Sequence, residues 1–219
     1  MSGTQIMWTV IGVILALGVI GLIGLAILYA LAKRPDRFRV RAIGLDDVDA
    51  YVAKRASLAV TVVETTPLSR REVWDRIAGS AYLGNLPLVH GPHWTTGSGP
   101  ADASSPVRSG RRRWISGTFL AVSEQVIEVA DRERLTLTGD GVSVPLAVKG
   151  FVERFTIADG ERSGTVVVTW EIAGSPRWIG FLPWRWTAPL LRPLLGSLLR
   201  HILRLTPFRS SDVRDGTAA

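Results

Sequence analysis

Residues Leu58 to Ala78 read LAVTVVETTPLSRREVWDRIA and hold the strongest local signals in the chain. The first seven residues are mostly β-branched, which is typical of a strand, and Pro67 ends it. Ser69 and Glu72 have the spacing of a capping box, in which the two side chains satisfy free N–H groups at a helix start. Apolar residues then recur at helical spacing, at Val73, Trp74, Ile77 and Ala78. The stretch therefore predicts a strand followed directly by an amphipathic helix.

Downstream, the sequence changes to a series of short strands separated by short turns. The predicted strands cover residues 111–115, 119–129, 135–138, 147–158 and 165–172. Because parallel pairs need long crossovers, this spacing favours an antiparallel meander. Residues 84–110 are rich in Gly, Pro and Ser and are expected to form a long loop, with at most one short helix near its beginning. The segment from Thr138 to Gly141 is expected to be a turn.

The last regular element is a long amphipathic helix that begins near Thr187. Leucine and isoleucine recur there at three- and four-residue steps up to Leu203, with arginines between them, and Pro207 is expected to end the helix. The order is then strand, helix, long loop, antiparallel strands and C-terminal helix.

This order resembles the helix-grip fold of the START-like, Bet v 1-like superfamily, also called the polyketide cyclase/dehydrase and lipid-transport (SRPBCC) group. The residues that resemble the family are VTVVETTPLSRREVWDRI at 60–77 and GTVVVTW at 164–170. The resemblance covers about residues 58–205 and carries no invariant catalytic set. It implies an α+β fold, in which a curved antiparallel sheet surrounds the C-terminal helix and an apolar cavity lies between them.

In members of the group such cavities hold lipids, sterols, polyketides or other hydrophobic molecules, and pockets of this kind are mostly apolar. The candidate cavity-lining residues are Trp74, Trp114, Phe119, Phe151, Trp170, Leu191, Leu195, Leu198 and Leu199. The alternative is that these side chains are ordinary core. Glu153 and Arg154 are adjacent in a predicted strand and must point to opposite faces, so one of them is a candidate to enter the cavity.

The N-terminus predicts a membrane anchor. The first 32 residues carry no charged side chain, and residues 6–32 are almost wholly apolar. A helix of that length spans about 40 Å, more than the roughly 30 Å hydrocarbon core of a bilayer. Residues 1–5 contain no Lys or Arg, which argues against a cleaved signal peptide.

The flanking charges predict the orientation of this helix. Five basic residues lie within positions 33–41, offset only by Asp36. Because basic flanks tend to stay in the cytoplasm, we expect a single-pass inner-membrane protein with its N-terminus outside and its domain in the cytoplasm. The expected organisation is an anchor at 1–32, a basic juxtamembrane linker at 33–56, the helix-grip domain at 57–208 and a disordered tail at 209–219.

A second membrane contact is expected after the last strand. Residues 177–209 hold six Arg and no Asp or Glu, and the first part of this segment is rich in tryptophan. Trp prefers the headgroup region, and anionic lipid attracts arginine. The candidate membrane-contact residues are Arg177, Trp178, Phe181, Trp184, Arg185 and Trp186. The alternative is an aromatic loop that closes the core.

Several chemistries find no support in the sequence. The chain has no cysteine, which excludes disulfides, thiolate catalysis and Cys-ligated metals. His90 and His93 lack a recognisable third ligand, so no metal site is expected, and no phosphate-binding or dinucleotide motif suggests a cofactor. A strand would divide Arg111, Arg112 and Arg113 between two faces, which argues against nucleic acid.

The sequence thus favours membrane-anchored binding or handling of a hydrophobic small molecule or lipid, with no catalytic residue assigned. Two alternatives stay open: a cyclase- or dehydrase-like enzyme, and an interaction module without a ligand. The oligomeric state is not predicted.

Overall fold

The computed structural model describes residues 2–79, 82–95, 107–144, 148–178, 182 and 184–205. It begins with helix α1, Gly3–Leu31, in which no residue is buried. By length and composition, this one helix among the described residues is able to cross a membrane. The predictions for Phe181, Pro207 and the C-terminal tail concern residues outside those described.

The domain that follows is built on a curved antiparallel sheet. Its strands are β1 (Phe38–Arg39), β2 (Leu58–Thr66), β3 (Val89–Trp94), β4 (Arg112–Gly117), β5 (Ala121–Ala130), β6 (Arg134–Val142), β7 (Val148–Asp159) and β8 (Val166–Pro176). The order across the sheet is β2-β8-β7-β6-β5-β4-β3, and β1 pairs with β6. The helices are α2 (Val48–Ala50), α3 (Arg70–Ala78) and α4 (Ala188–Ile202). The predicted α+β helix-grip fold, preceded by a long apolar helix, is confirmed.

The two ends of the sheet differ, and we name them by their distance from α1. At the near end, β1 joins the last residues of β6, and β2, β5 and β7 begin while β4 and β8 end. At the far end lie the turns at 131–133 and 160–165. Arg185, just before α4, donates to the carbonyl oxygen of Ala56, just before β2, so α4 starts at the near end. Arg200 reaches Glu64 towards the far end.

The strand–helix unit that starts at Leu58 forms as its sequence predicts. Ser69 Oγ accepts a hydrogen bond from the backbone N–H of Glu72, and the Glu72 carboxylate accepts from Ser69 N–H at 2.8 Å. Val73 and Ile77 are fully buried against the inner face of the sheet. The capping box and the apolar helix face are therefore confirmed.

The prediction that residues 84–110 form one long loop is wrong in its first part. Val89–Trp94 is strand β3, which pairs with β4 at the edge of the sheet. The register shifts between His90 and His93, where Pro92 lies. An edge strand tolerates a proline at such an irregularity because no neighbour needs its missing N–H group.

The turn predicted from Thr138 to Gly141 is also wrong, because these residues belong to β6. Their glycines serve close packing. A Cβ at Gly139 would lie 2.4 Å from the ring of Phe151, and one at Gly141 would lie 2.8 Å from the Cα of Asp36. Glycine in a strand often marks such a close approach.

Residues 38–56, expected as part of a linker, contact the sheet along their length. The backbone N–H of Arg41 donates to Lys149 O at 2.8 Å, and the N–H of Ile43 donates to Thr138 Oγ1 at 2.8 Å. The helical turns at 45–55 then bury Val48 and Tyr51 against Val152 and Ala173 on the outer face. The helical turns at 45–55 thus form a third layer of the domain, on the outer face of the sheet.

Candidate functional site

The inner face of the sheet carries a buried ionic cluster centred on Arg113. This side chain is completely buried, although arginine is rarely buried unless paired. Its Nε donates to Glu124 Oε2 at 2.7 Å and its Nη2 donates to Glu153 Oε2 at 2.6 Å. Arg113 and Glu124 are direct cross-strand neighbours on β4 and β5. The Arg113 guanidinium therefore links its own strand, β4, to both β5 and β7.

Two aromatic donors complete the coordination of Glu153. Tyr82 Oη donates to Glu153 Oε1 at 3.0 Å, and Trp170 Nε1 donates to the same oxygen at 2.8 Å. The Arg113 guanidinium also lies over the rings of Tyr82 and Trp94, 5.2 and 5.7 Å from their centroids. The cluster is thus an ion network enclosed by aromatic rings.

The electrostatics of the cluster bring the pKa of one carboxyl group close to neutral pH. Burial and the negative charge of Glu124 raise the pKa of Glu153 to about 7, although Arg113, Trp170 and Tyr82 lower it. Burial would lower the pKa of Arg113, but the carboxylates of Glu124 and Glu153 raise it, so the guanidinium stays charged. Burial, reinforced by Glu153, raises the pKa of Tyr82 well above its usual value.

Two buried donors in this cluster lack a hydrogen-bond partner among the described residues. They are Arg113 Nη1 and Trp94 Nε1. A buried unpaired polar group costs about 1–3 kcal/mol, so a native structure seldom keeps one without a reason. Both donors suit an oxygen acceptor.

The interior between the sheet and α4 changes in burial from one end to the other. Towards the far end Phe155, Leu199 and Leu203 are completely buried, and Phe155 stacks on Trp170 with ring centroids 5.8 Å apart. Towards the near end Phe151 and Ile172 are only half-buried. The half-buried leucines of α4 are Leu191, Leu195 and Leu198. The interior is therefore closed at the far end and partly accessible at the near end.

The predicted cavity-lining residues fall into different environments. Trp74, Trp170 and Leu199 are core, whereas Phe151, Leu191, Leu195 and Leu198 form the half-buried part of the interior. Trp114 is next to Arg113 in β4 and therefore points to the outer face, where its ring lies 4.1 Å from that of His93. Phe119 is exposed in the turn between β4 and β5.

The predicted membrane-contact residues also separate. Trp178 and Trp186 are exposed, the latter at 81%, and Arg177 is exposed beside Trp178. Trp184 is half-buried. Arg185 donates to the carbonyl oxygens of Val52, Ala53 and Ala56. It therefore fixes the end of the outer helical turn.

Part of the central cluster lies where the strand pattern of the sequence predicts. Glu153 enters the interior and Arg154 points outward, where it pairs with Glu171, as the strand alternation requires. Arg113 is buried while Arg112 is exposed, so the arginine triplet is divided as predicted. Tyr82, Trp94 and Glu124 were not among the predicted site residues. Glu124 shares β5 with Ser123, Gln125 and Glu128, so the polarity of that strand does not single it out.

No protein-family model matches the chain, and no curated protein matches it. Among solved structures, a hypothetical protein from Helicobacter pylori is similar at a TM-score of 0.54 and 10% identity, over 72% of this chain and 94% of that one. DynU16, from the dynemicin biosynthetic locus, has a TM-score of 0.46 at 16% identity over 67% of this chain and 46% of its own. CalU16 from Micromonospora echinospora has a TM-score of 0.41 at 12% identity over 67% and 71%. At these identities the Helicobacter pylori protein is similar in fold alone.

Proposed function

We propose that the chain is a membrane-anchored member of the START-like group that binds a hydrophobic small molecule or lipid between the sheet and α4. In this proposal α1 crosses the inner membrane and the domain lies in the cytoplasm. The burial gradient of the interior carries the proposal. The half-buried apolar side chains at the near end offer a hydrophobic ligand both an apolar contact surface and access from outside. The far end of the interior is closed.

The buried cluster adds a polar contact to this apolar wall. Pockets for hydrophobic ligands typically have a few placed polar groups that fix orientation. Arg113 Nη1 and Trp94 Nε1 are both donors without a described partner. A hydrophobic molecule that carries a carbonyl, carboxylate or hydroxyl oxygen matches this arrangement.

The experiment uses the full chain, purified in mild detergent, with bound small molecules extracted and identified by mass spectrometry. Leu195→Trp enlarges a half-buried residue on the inner face of α4, and Leu194→Trp is its matched control because Leu194 is 65% exposed. We expect a hydrophobic molecule to accompany the parent protein and the Leu194 variant and to be lost from the Leu195 variant. Equal retention in both variants would contradict binding between the sheet and α4.

A second candidate is an enzyme in which Glu153 acts as a general acid or base. The observation in its favour is the raised pKa of Glu153, about 7, since catalytic carboxyl groups are often tuned towards the working pH. The two candidates differ in the fate of the ligand. A binding protein returns the molecule unchanged, whereas an enzyme converts it and loses this conversion in Glu153→Gln.

The third alternative is an interaction module without a ligand. Its support is the tight packing of Tyr82, Phe155 and Trp170, with Tyr82 edge-on to Phe155 at 5.7 Å. Finding no molecule in the extract of the parent protein would favour this alternative over the first.

A further inference from the structure

The exposed apolar side chains of the domain gather at the near end of the sheet. They include Leu88, Phe119, Leu120, Trp178, Trp186 and Leu190, which we call the near-end apolar surface. The other exposed large apolar residues among those described beyond α1 are Leu45, Val63, Leu182 and Leu194. Soluble surfaces rarely concentrate such residues without a partner.

The sheet register places one part of this surface beside β3 and β4. Val89 pairs with Gly117, and the Thr118 hydroxyl lies 3.5 Å from the carbonyl oxygen of Leu88. The turn that follows β4 holds Phe119 and Leu120. These three apolar residues therefore project from one edge of the near end.

The other part lies beside β2 and β8, at the opposite edge. Trp178 follows the end of β8, and Trp186 precedes α4. Trp186 and Leu190 are one helical turn apart, and both are more than three-quarters exposed. The two parts thus flank the half-buried interior described above.

The path of the chain brings this end close to α1. Only residues 32–37 separate α1 from β1, and β1 pairs with Val142 at the near end. Six extended residues reach at most about 20 Å. A domain tethered so closely to a membrane-spanning helix cannot move far from the lipid surface.

The charges around the surface match an anionic leaflet. Exposed basic side chains at this end include Arg37, Arg41, Lys149, Arg177 and Arg192. Arg41 and Lys149 border a cleft of about 310 Å³ on the outer face. Each Lys or Arg near an anionic leaflet adds about 1 kcal/mol of attraction, and tryptophan prefers the headgroup region.

Building on the proposed membrane attachment, we infer that the near-end apolar surface lies in the headgroup region of the bilayer. The domain then contacts the membrane at both edges of the sheet, through the Phe119–Leu120 turn and through Trp186 and Leu190. Leu88, Phe119, Leu120 and Leu190 extend the contact well beyond residues 177–186. The half-buried interior between the two edges faces the lipid.

The test measures how close single positions lie to lipid in the full chain. Because the chain has no cysteine, Leu120→Cys, Trp186→Cys and Val63→Cys each give one labelling site. Val63 is the matched control, since it is an exposed apolar residue outside the surface. Each variant carries a polarity-sensitive fluorophore and is placed in nanodiscs of phosphatidylcholine and phosphatidylglycerol that include headgroup-nitroxide lipid.

We expect the nitroxide to quench the labels at 120 and 186 several-fold more than the label at 63. Quenching at 186 alone would overturn the two-edge contact. If the labels at 120 and 186 are both quenched no more than the label at 63, the membrane contact is overturned and a protein partner is favoured for this surface. The measurement needs no ligand. It therefore separates failure of this inference from failure of the proposed ligand binding, which the extraction experiment reads independently.

Discussion

At the scale of single residues, the unusual feature is a charge network inside an apolar sheet. Arg113, Glu124 and Glu153 are all buried, and their geometry is good, with N–O distances of 2.6 and 2.7 Å. Such networks cost desolvation energy that apolar residues would avoid. The buried network is therefore weak evidence for a gain in bulk stability.

Removing the central cation tests how tightly the network is coupled. Arg113→Met leaves two buried carboxyl groups without their counter-charge, and we expect a loss of about 3–5 kcal/mol in the free energy of unfolding. Arg112→Met, its neighbour in β4, is the control because Arg112 is exposed and pairs with Asp140. Urea unfolding of the two full-length variants measures both effects. Similar losses in the two would contradict the assigned burial.

The cluster also predicts how stability depends on pH. Glu153 titrates near 4.5 when unfolded and at about 7 when folded, so the folded state binds the extra proton between these values. Stability must then fall as pH rises through this window, on the order of 3 kcal/mol in total. Thermal unfolding at several pH values measures the slope. Glu153→Gln should flatten it, and an unchanged slope in this variant would assign the effect to another group.

At the scale of elements, the segment between α1 and β2 decides how the domain is attached. It inserts between β6 and β7 at the near end, with Val40 bonded to Asp140 O and Arg41 bonded to Lys149 O. Gly141 and Gly150 allow this approach, because a Cβ at either position would lie 2.8 Å from the backbone of the segment. The attachment therefore depends on having glycine, which has no Cβ, at both positions.

Gly141→Ala tests this attachment. The added Cβ meets the backbone of Asp36, which a side-chain rotation cannot relieve, and we expect a loss of about 1–3 kcal/mol. Gly44→Ala, in the same segment, has nothing within 4 Å of its new Cβ and should leave the unfolding free energy unchanged. Denaturant unfolding of the pair gives the answer. An equally stable Gly141 variant would mean that the segment does not dock as described.

The elements that the sequence predicts are those governed by local rules. The capping box at Ser69, the β-branched strands and the leucine spacing of α4 each act within a few residues, and each prediction is confirmed. Strand β3 and the glycines Gly139 and Gly141 of β6 were not predicted as strand residues, because their place in strands depends on pairing and packing with residues distant in the sequence. The same holds at the site. Alternation puts Glu153 and Arg154 on opposite faces but does not decide which enters the interior, and the meeting of Glu153 with Arg113 and Glu124 depends on strand register.

At the scale of the whole molecule, the near end collects three features. The chain arrives there from α1, the exposed apolar residues gather there, and the interior is only half-buried there. Each feature comes from a different part of the sequence. The proposed function, in which the domain takes a hydrophobic molecule from the bilayer, would explain why these features occur together. A freely diffusing carrier would not need them at one end.

The proposed orientation predicts which parts of the chain face each side of the membrane. Ser2→Cys and Ser163→Cys, made separately, each introduce one thiol, at the start of α1 and at the far end. In intact cells an impermeant maleimide should label position 2 and reach position 163 only after permeabilisation, because the basic flank of α1 stays in the cytoplasm. The reverse labelling pattern would place the domain outside.

The proposed uptake of lipid by the domain is tested by photo-crosslinking of the full chain in native membranes that contain lipids with a photoreactive group on the acyl chain. Mass spectrometry then maps the attachment sites. We expect acyl attachment inside the domain, at the half-buried residues Phe151, Leu191 and Leu195, in addition to α1. Attachment confined to α1 and to the exposed residues Trp186 and Leu190 would contradict lipid uptake, because the domain would then touch the bilayer without binding lipid in its interior.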